Sequence, residues 1–129
     1  MKLKLKTVVV DCPDAHECAA FYSGLLDWPI FYQEADFVLL RDPQGGTGLS
    51  FQSEEDYVAP VWPEEPGKPQ KGLHLDFLVD DLAAGEMRVL ELGGIKAETQ
   101  FLLKEGVVVF FDPAGHPFCL FEDNTYDWD

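Results

Sequence analysis

The stretch LHLDFLVDD, Leu73–Asp81, decides the fold of this chain. Its alternating apolar residues predict a strand, and the aspartates at its end, Asp81 or Asp80, predict the N-cap of a helix. Successive strand residues point to opposite faces, so His74 and Asp76 would share one face while the apolar residues between them pack against helices. The stretch therefore predicts a strand that enters a helix and carries a polar pair on its free face.

The same organisation occurs twice along the chain. Seven positions separate Thr7 from Asp14, and seven separate His74 from Asp81. A DPxG turn precedes the last strand of each half, as DPQG and as DPAG. A repeat of about 65 residues is an architectural signal in its own right. The sequence thus predicts an α+β fold of two βαβββ modules within one domain, 1–129.

The predicted boundaries follow from apolar periodicity and from turn residues. Module 1 is expected at 2–52 and module 2 at 73–122, with a proline-rich linker at 53–72 and an acidic tail at 123–129. The second helix is expected to carry an apolar stripe of Ala83, Met87 and Leu90, flanked by Leu82 and Val89. The strands are predicted at 2–10, 30–33, 37–41, 48–52, 73–79, 95–103, 107–111 and 117–122.

Composition excludes several classes of partner. The net charge is −15, from 24 acidic and 9 basic residues, which disfavours nucleic acid and anionic lipid. No apolar run approaches the ~20 residues that span a bilayer, and the N-terminus lacks a signal-peptide pattern. The three cysteines form no CxxC motif, so reduced thiols and a cytoplasmic location are expected.

These features together resemble a known superfamily. The duplicated pattern, the strand HLDFLVDD before a helix that ends in LGG, and the terminal FFDPAGHPFCL are similar to the vicinal oxygen chelate superfamily. Within it, they most resemble glyoxalase/bleomycin-resistance-like domains, from Leu3 to about Glu122. The resemblance implies a curved, partly closed mixed sheet around a central cup, a ligand in that cup, and often a homodimer.

Metal-dependent members of the superfamily take four ligands, one from the first and one from the last strand of each module. On these positions the chain has His74 in module 2 and Thr7 in module 1. A count of seven from the aspartate of each DP turn gives Cys119 in module 2 and Leu49 in module 1, with Ser50 adjacent. A Mg, Mn or Fe site prefers imidazole and carboxylate ligands. The resemblance therefore predicts no catalytic metal, with His74 as the one retained ligand position.

Alternatives for these side chains remain open at this stage. His74 and Cys119 could hold zinc with Asp76 as a third ligand, and a divalent metal stays a secondary prediction. His74 and Asp76 are candidates for a general base, although a hydrogen-bonded pair in a polar cavity is favoured. Glu122 has the opposite strand parity to Cys119 and is expected to point away from the cavity.

The function predicted from the resemblance is the binding of a small apolar or cationic molecule in the cup. The alternative is a metal-dependent lyase, isomerase or dioxygenase that uses His74, so enzymatic activity is left open. Aromatic residues would supply a flat apolar surface and acidic residues the charge complementarity. The predicted ligand contacts are Thr7, Asp11, Gln52, Trp62, His74, Asp76, Cys119 and Phe121.

The remaining polar turn residues are given structural roles. The aspartates of the two DP turns are expected to form turn hydrogen bonds. His16 and His116 are expected at the surface. The pair Gly45-Gly46 is short, and the acidic composition of the chain disfavours an anion beside it.

Overall fold

The computed structural model describes residues 1–122. The predicted acidic tail, 123–129, and a predicted contact of Trp128 within it lie outside the described residues. The chain divides into two compact units, Met1–Tyr57 and Val58–Asp129. Residues 54–74, all of them described, contain no helix or strand, in agreement with their proline-rich composition.

The first unit is one βαβββ module. Its sheet has the order β1-β4-β3-β2, with β1 and β4 parallel and the other pairs antiparallel. Its elements are β1 (Thr7–Cys12), α1 (Ala15–Leu26), β2 (Ile30–Glu34), β3 (Phe37–Leu40) and β4 (Gly48–Ser53).

The second unit repeats this topology. Its sheet has the order β5-β8-β7-β6, again with one parallel pair, β5 with β8. The predicted α+β class with two βαβββ modules is therefore confirmed. The elements are β5 (Leu75–Leu78), α2 (Leu82–Glu91), β6 (Ile95–Lys96), β7 (Val107–Phe111) and β8 (Pro117–Phe121), with a 3-10 turn at Leu103–Glu105.

The core of the first unit lies between α1 and its sheet. Asp14 caps the helix, because its carboxylate accepts hydrogen bonds from the backbone N–H groups of His16 and Glu17. The ring of Tyr22 stacks on that of Phe51, with centroids 5.4 Å apart, and both side chains are fully buried. The helix thus anchors the face of the sheet that is opposite to Thr7.

The core of the second unit forms on the equivalent face. Phe118 stacks on Phe110 at 5.7 Å and meets Phe77 edge-on at 6.0 Å. Val89 is the fully buried residue of α2. A Cβ added at Gly85 would lie 3.0 Å from Leu120, so this glycine allows the helix to approach the sheet closely.

This close approach corrects the predicted orientation of α2. Met87 and Leu90 are 64% and 49% exposed, and Ala83 is also exposed, so the predicted apolar stripe is not the packed face. The helix packs through Gly85 and Val89 instead, because a helix without a Cβ at its closest point can lie nearer to the strands.

Three predicted strand boundaries were also wrong. The first strand begins at Thr7 and not at residue 2, since the lysines before it are exposed. β5 begins at Leu75, so His74 immediately precedes it. The strand predicted at 95–103 ends at Lys96. Beyond it, the Gln100 side chain replaces a strand partner: its amide donates to the carbonyls of Ala97 and Val109 and accepts from the Val109 N–H, each at 2.9 Å.

Candidate functional site

A polar cluster lies on the sheet face of the second unit that is opposite to α2. The parallel register of β5 and β8 places Asp76 beside Cys119. His74 precedes the strand by one residue, and its Nε2 lies 3.2 Å from Oδ1 of Asp76. One ligand atom from each of these three residues lies within 4.8 Å of the others. The parity predicted from the sequence therefore brings the three side chains together.

The thiol of Cys119 is held in its protonated form. Burial is the main cause, and the charge and hydrogen bond of Asp76 add to it, raising the pKa of Cys119 to about 12. The cation of Lys71 opposes this rise. Since a thiolate is the nucleophilic and metal-binding form, Cys119 is not an activated nucleophile at neutral pH.

Aromatic side chains form a wall beside this cluster. Trp62, in the segment before β5, packs against the buried cluster formed by Ala97, Val109 and Cys119. The Trp62 ring meets Phe101 at 5.7 Å and Phe111 at 6.2 Å, both edge-on. We refer to Trp62, Phe101 and Phe111 as the aromatic wall. Because Phe101 is 68% exposed, the wall presents open apolar surface.

Sequence reasoning found part of this surface and missed the rest. Trp62 and Phe121 were predicted, and Phe121 pairs with Leu78 on the face of Asp76. Phe101 was missed because it was assigned to a strand that ends at Lys96. Lys71 was missed because the linker has no periodicity that would indicate where its side chains point. Its ammonium group forms an ion pair with Glu64 and lies close enough to affect the Cys119 thiol.

Glu122 points away from the cluster, as its parity predicts. Its Oε2 accepts a hydrogen bond of 2.7 Å from the backbone N–H of Leu82, the first residue of α2. A carboxylate at a helix N-terminus is stabilised by the unpaired N–H groups there. This carboxylate therefore supports the helix and is not a partner of Cys119.

The first unit has hydroxyl groups at the equivalent positions. The register pairs Val9 with Ser50 and Val8 with Leu49, which decides between the two predicted alternatives. Ser50 shares the face of Thr7, and the two hydroxyls lie 2.8 Å apart, with Ser50 fully buried. Leu49 lies on the opposite face, which packs against α1.

The other two residues predicted on this face are Asp11 and Gln52. They are paired in the β1–β4 register and both are exposed. The side-chain amide of Gln52 donates to the Glu54 carboxylate at 2.8 Å. The two units thus share a scaffold but differ in the polar groups that it displays.

The turn residues have structural partners. Asp112 is 2% exposed, and its Oδ1 accepts from the N–H groups of Ala114 and His116. The ring Nδ1 of His116 donates to Asp112 Oδ2 at 2.7 Å, and its side chain is 19% exposed, so this histidine is more enclosed than predicted. His16 is exposed as predicted and donates from Nε2 to the carbonyl of Glu34 at 2.7 Å.

Comparison with known proteins agrees with this architecture. The model of the family described as "Glyoxalase-like domain" matches residues 7–121. The chain belongs to this glyoxalase-like family. A search of curated proteins found no significant match.

Several solved structures share the glyoxalase-like fold. A glyoxalase/bleomycin resistance protein/dioxygenase family enzyme from Burkholderia phytofirmans PsJN is 14% identical, with a TM-score of 0.69, over 92% of this chain and 97% of that one. A glyoxalase family protein from Enterococcus faecalis is 22% identical, with a TM-score of 0.67, over the same shares. A possible glyoxalase from Bacillus cereus is 14% identical, with a TM-score of 0.67, over 93% and 99%. At these identities the likeness concerns the fold.

The donor atoms on the two sheet faces determine whether they could hold a catalytic metal. In the second unit, His74, Asp76 and Cys119 are close enough to surround one ion. However, Cys119 binds a metal ion as a thiolate, and its thiol, with a pKa of about 12, must first lose its proton. In the first unit, Thr7 and Ser50 supply only hydroxyls that already bond to each other. This set does not fit an octahedral Mg, Mn or Fe site.

The helices of this family member are short. Across residues 1–122 neither α1 nor α2 combines the length and the apolar character needed to cross a bilayer.

Proposed function

We propose that this chain is a glyoxalase/bleomycin-resistance-like protein that binds a small apolar or cationic molecule without a catalytic metal. The binding surface is the aromatic wall together with the adjacent His74, Asp76 and Cys119. The observation that carries the proposal is the packing of Trp62 against the buried cluster of Ala97, Val109 and Cys119, because Cys119 is paired with Asp76 and an apolar surface thus adjoins a carboxylate.

The chemistry of this surface favours a cation over an anion. The Asp76 side chain is 53% exposed, so its carboxylate can reach a ligand. Tryptophan is the aromatic side chain that attracts cations most strongly through its ring face. The net charge of −15 adds a long-range attraction for cations. Open surface at Phe101 supplies the apolar contact that an aromatic or alkyl group needs.

The protonated thiol supports binding without metal. Burial and Asp76 keep the proton on Cys119, so a metal ion would compete with that proton at neutral pH. A neutral thiol beside Trp62 acts instead as a small apolar group. His74 and Asp76 then serve as a polar pair at the edge of the wall.

The second candidate is a metal-dependent lyase, isomerase or dioxygenase that uses His74. Its support is the three-residue cluster, whose ligand atoms lie within 4.8 Å of one another and are of the types that bind catalytic zinc. The Burkholderia relative is described as an enzyme of a glyoxalase/bleomycin resistance/dioxygenase family.

Several further expectations stay predictions. They are the homodimer, the cytoplasmic location, and the ligand contacts at Thr7, Asp11, Gln52 and Phe121.

The experiment compares three probes of similar shape: benzyltrimethylammonium, its neutral carbon analogue and an anionic benzoate. A ligand at 100 times its dissociation constant stabilises a fold by about 2.7 kcal/mol, which thermal denaturation detects. We expect stabilisation by the cation and by the neutral probe, and none by benzoate. Asp76→Asn should remove the preference for the cation. The control Asp36→Asn, the same charge change at an exposed residue of the first unit, should retain it.

A metal measurement separates the two candidates. Protein purified without chelator is assayed for metal content and then for stabilisation by zinc, manganese and iron(II). Stoichiometric metal that is lost in His74→Ala would contradict the metal-free proposal and support the enzyme. Failure of every apolar and cationic probe to stabilise the protein would equally contradict it.

A further inference from the structure

A small basic pocket lies in the first unit, in a chain that is otherwise strongly acidic. Lys4, Lys6 and Arg41 line it together with the turn that joins β3 to β4. Its volume is about 60 Å³. These are three of the nine basic residues in a chain of net charge −15. This local group of basic residues contrasts with the negative charge that the composition predicts for the surface as a whole.

Backbone hydrogen bonds hold the lysines beside the turn. The N–H of Gly48 donates to the carbonyl of Lys6 at 3.0 Å, and the hydroxyl of Thr47 donates to the carbonyl of Leu5 at 3.2 Å. A Cβ at Gly48 would lie 2.6 Å from the carbonyl oxygen of Leu40, so glycine is required for this approach. The N-terminal segment is thereby fixed along the turn although it is not a strand.

Arg41 is held from another direction. Its guanidinium carbon lies 4.8 Å from the centroid of the Phe31 ring, and Phe31 also lines the pocket. The backbone N–H of Arg41 donates to the carbonyl of Pro29 at 3.1 Å. A guanidinium that stacks through its face keeps its N–H donors at the edge, where they match the oxygens of a carboxylate or phosphate.

One carboxylate, Asp42, also lines the pocket, and it is engaged by the turn. Its Oδ1 accepts from the N–H of Gln44 at 2.9 Å. A Cβ added at Gly46 would lie 2.4 Å from Asp42 Oδ2, which shows how closely the turn surrounds this side chain. The pocket is therefore lined by three basic residues and by one acidic residue whose carboxylate already has a structural partner.

We propose that this pocket binds a small oxyanionic group, a phosphate or a carboxylate. One water-sized probe occupies about 10–15 Å³, so the pocket accommodates one such group and not a whole nucleotide cofactor. The glycine pair 45–46, beside which the acidic composition of the chain disfavours an anion, lines the same pocket as these basic residues. The site is separate from the aromatic wall and does not depend on the function proposed there.

The test is an NMR titration of the whole chain with inorganic phosphate and, separately, with acetate at constant ionic strength. We expect saturable shifts of the amide signals of Gly45, Gly46 and Gly48. Saturation by phosphate alone identifies a phosphate site, by acetate alone a carboxylate site, and by both a general oxyanion site. Loss of one charge-assisted hydrogen bond in Lys6→Gln or Arg41→Gln should weaken binding roughly tenfold. The control Lys104→Gln, the same charge change in the second unit, should leave it unchanged.

Three results would overturn the proposal: shifts that do not saturate, equal shifts with chloride, or unchanged affinity in Lys6→Gln. Should Arg41→Gln fail to fold, the double variant Lys4→Gln/Lys6→Gln carries the test. Both lysines are exposed and precede β1, so their replacement leaves the packed core intact.

Discussion

The two units use one scaffold to present different chemistry on equivalent sheet faces. The parallel pair β1–β4 displays the hydroxyls of Thr7 and Ser50, which bond to each other. The parallel pair β5–β8 displays a carboxylate and a thiol, with His74 beside them. In the first unit the two hydroxyls satisfy each other's hydrogen bonding. In the second unit Asp76 stays open to solvent, and the aromatic wall lies beside it. This difference is why the binding surface proposed above lies on the second unit.

The units also differ at the edge strand that follows the helix, β2 in the first unit and β6 in the second. In the first unit, β2 pairs with β3 along most of its length. In the second, β6 has two residues, and the Gln100 side chain continues the hydrogen bonding to β7. Phe101, the residue after Gln100, lies outside the sheet, and its ring contacts that of Trp62.

The largest expected effect comes from removing the Gln100 side chain. Gln100→Ala removes three hydrogen bonds and leaves the N–H of Val109 without its acceptor. We expect the free energy of unfolding to fall by about 2–3 kcal/mol in urea denaturation, since an unsatisfied buried group costs about 1–3 kcal/mol. The Val109 amide should also exchange with solvent faster.

Two variants sharpen this result. Gln100→Glu keeps an acceptor for Val109 but loses both donations, so it should cost at least as much as alanine. Gln52→Ala, an exposed glutamine of the first unit with a single side-chain partner, should change stability by no more than about 0.5 kcal/mol. Equal costs for Gln100→Ala and Gln52→Ala would contradict the role given to Gln100.

The difference at Gln100 also shows where sequence reasoning stops. The repeat, the helix caps and the DP turns are local patterns, and they predicted both modules. The apolar residues from Ile95 onward also fit a strand pattern, and the pattern alone does not show that a side chain will replace the strand. Likewise, the periodicity of α2 permitted two packed faces, and the close approach at Gly85 selected the one with Val89.

The candidate site was likewise predictable only in part. Strand parity was enough to place His74 and Asp76 on one face. The choice between Leu49 and Ser50 was not, because Ser50 follows its turn aspartate by eight positions and Cys119 follows its own by seven. One extra residue in the first turn defeats a count, and only the pairing register resolves it.

The next effect concerns the thiol of Cys119, which occupies in the second unit the position that Ser50 occupies in the first. The folded pKa of Cys119, about 12, lies above its unfolded value near 9, so the folded state retains the proton that the unfolded state loses between these values. Stability from this group is complete below about pH 9 and is lost as pH rises toward 12, by at most about 1.4 kcal/mol per pH unit.

Cys119→Ala isolates this contribution. We expect its difference in stability from the native chain to shrink by about 1–2 kcal/mol between pH 8.5 and pH 10, because the variant has no thiol to titrate. Chemical denaturation across this range provides the measurement, and comparison at each pH cancels the titration of lysines and tyrosines. A constant difference would show that the thiol is not protected by burial and Asp76.

The smallest expected effect tests whether the hydroxyl pair is self-satisfied. Ser50→Ala removes the partner of the Thr7 hydroxyl and should cost about 1 kcal/mol, the typical net value of one hydrogen bond. Thr7→Val should cost a similar amount. Because both variants remove the same bond, the double variant should cost less than the sum of the two, and a double-mutant cycle measures the coupling. Additive costs would mean that the hydroxyls do not depend on each other, and the first unit would then have two independent polar groups on this face.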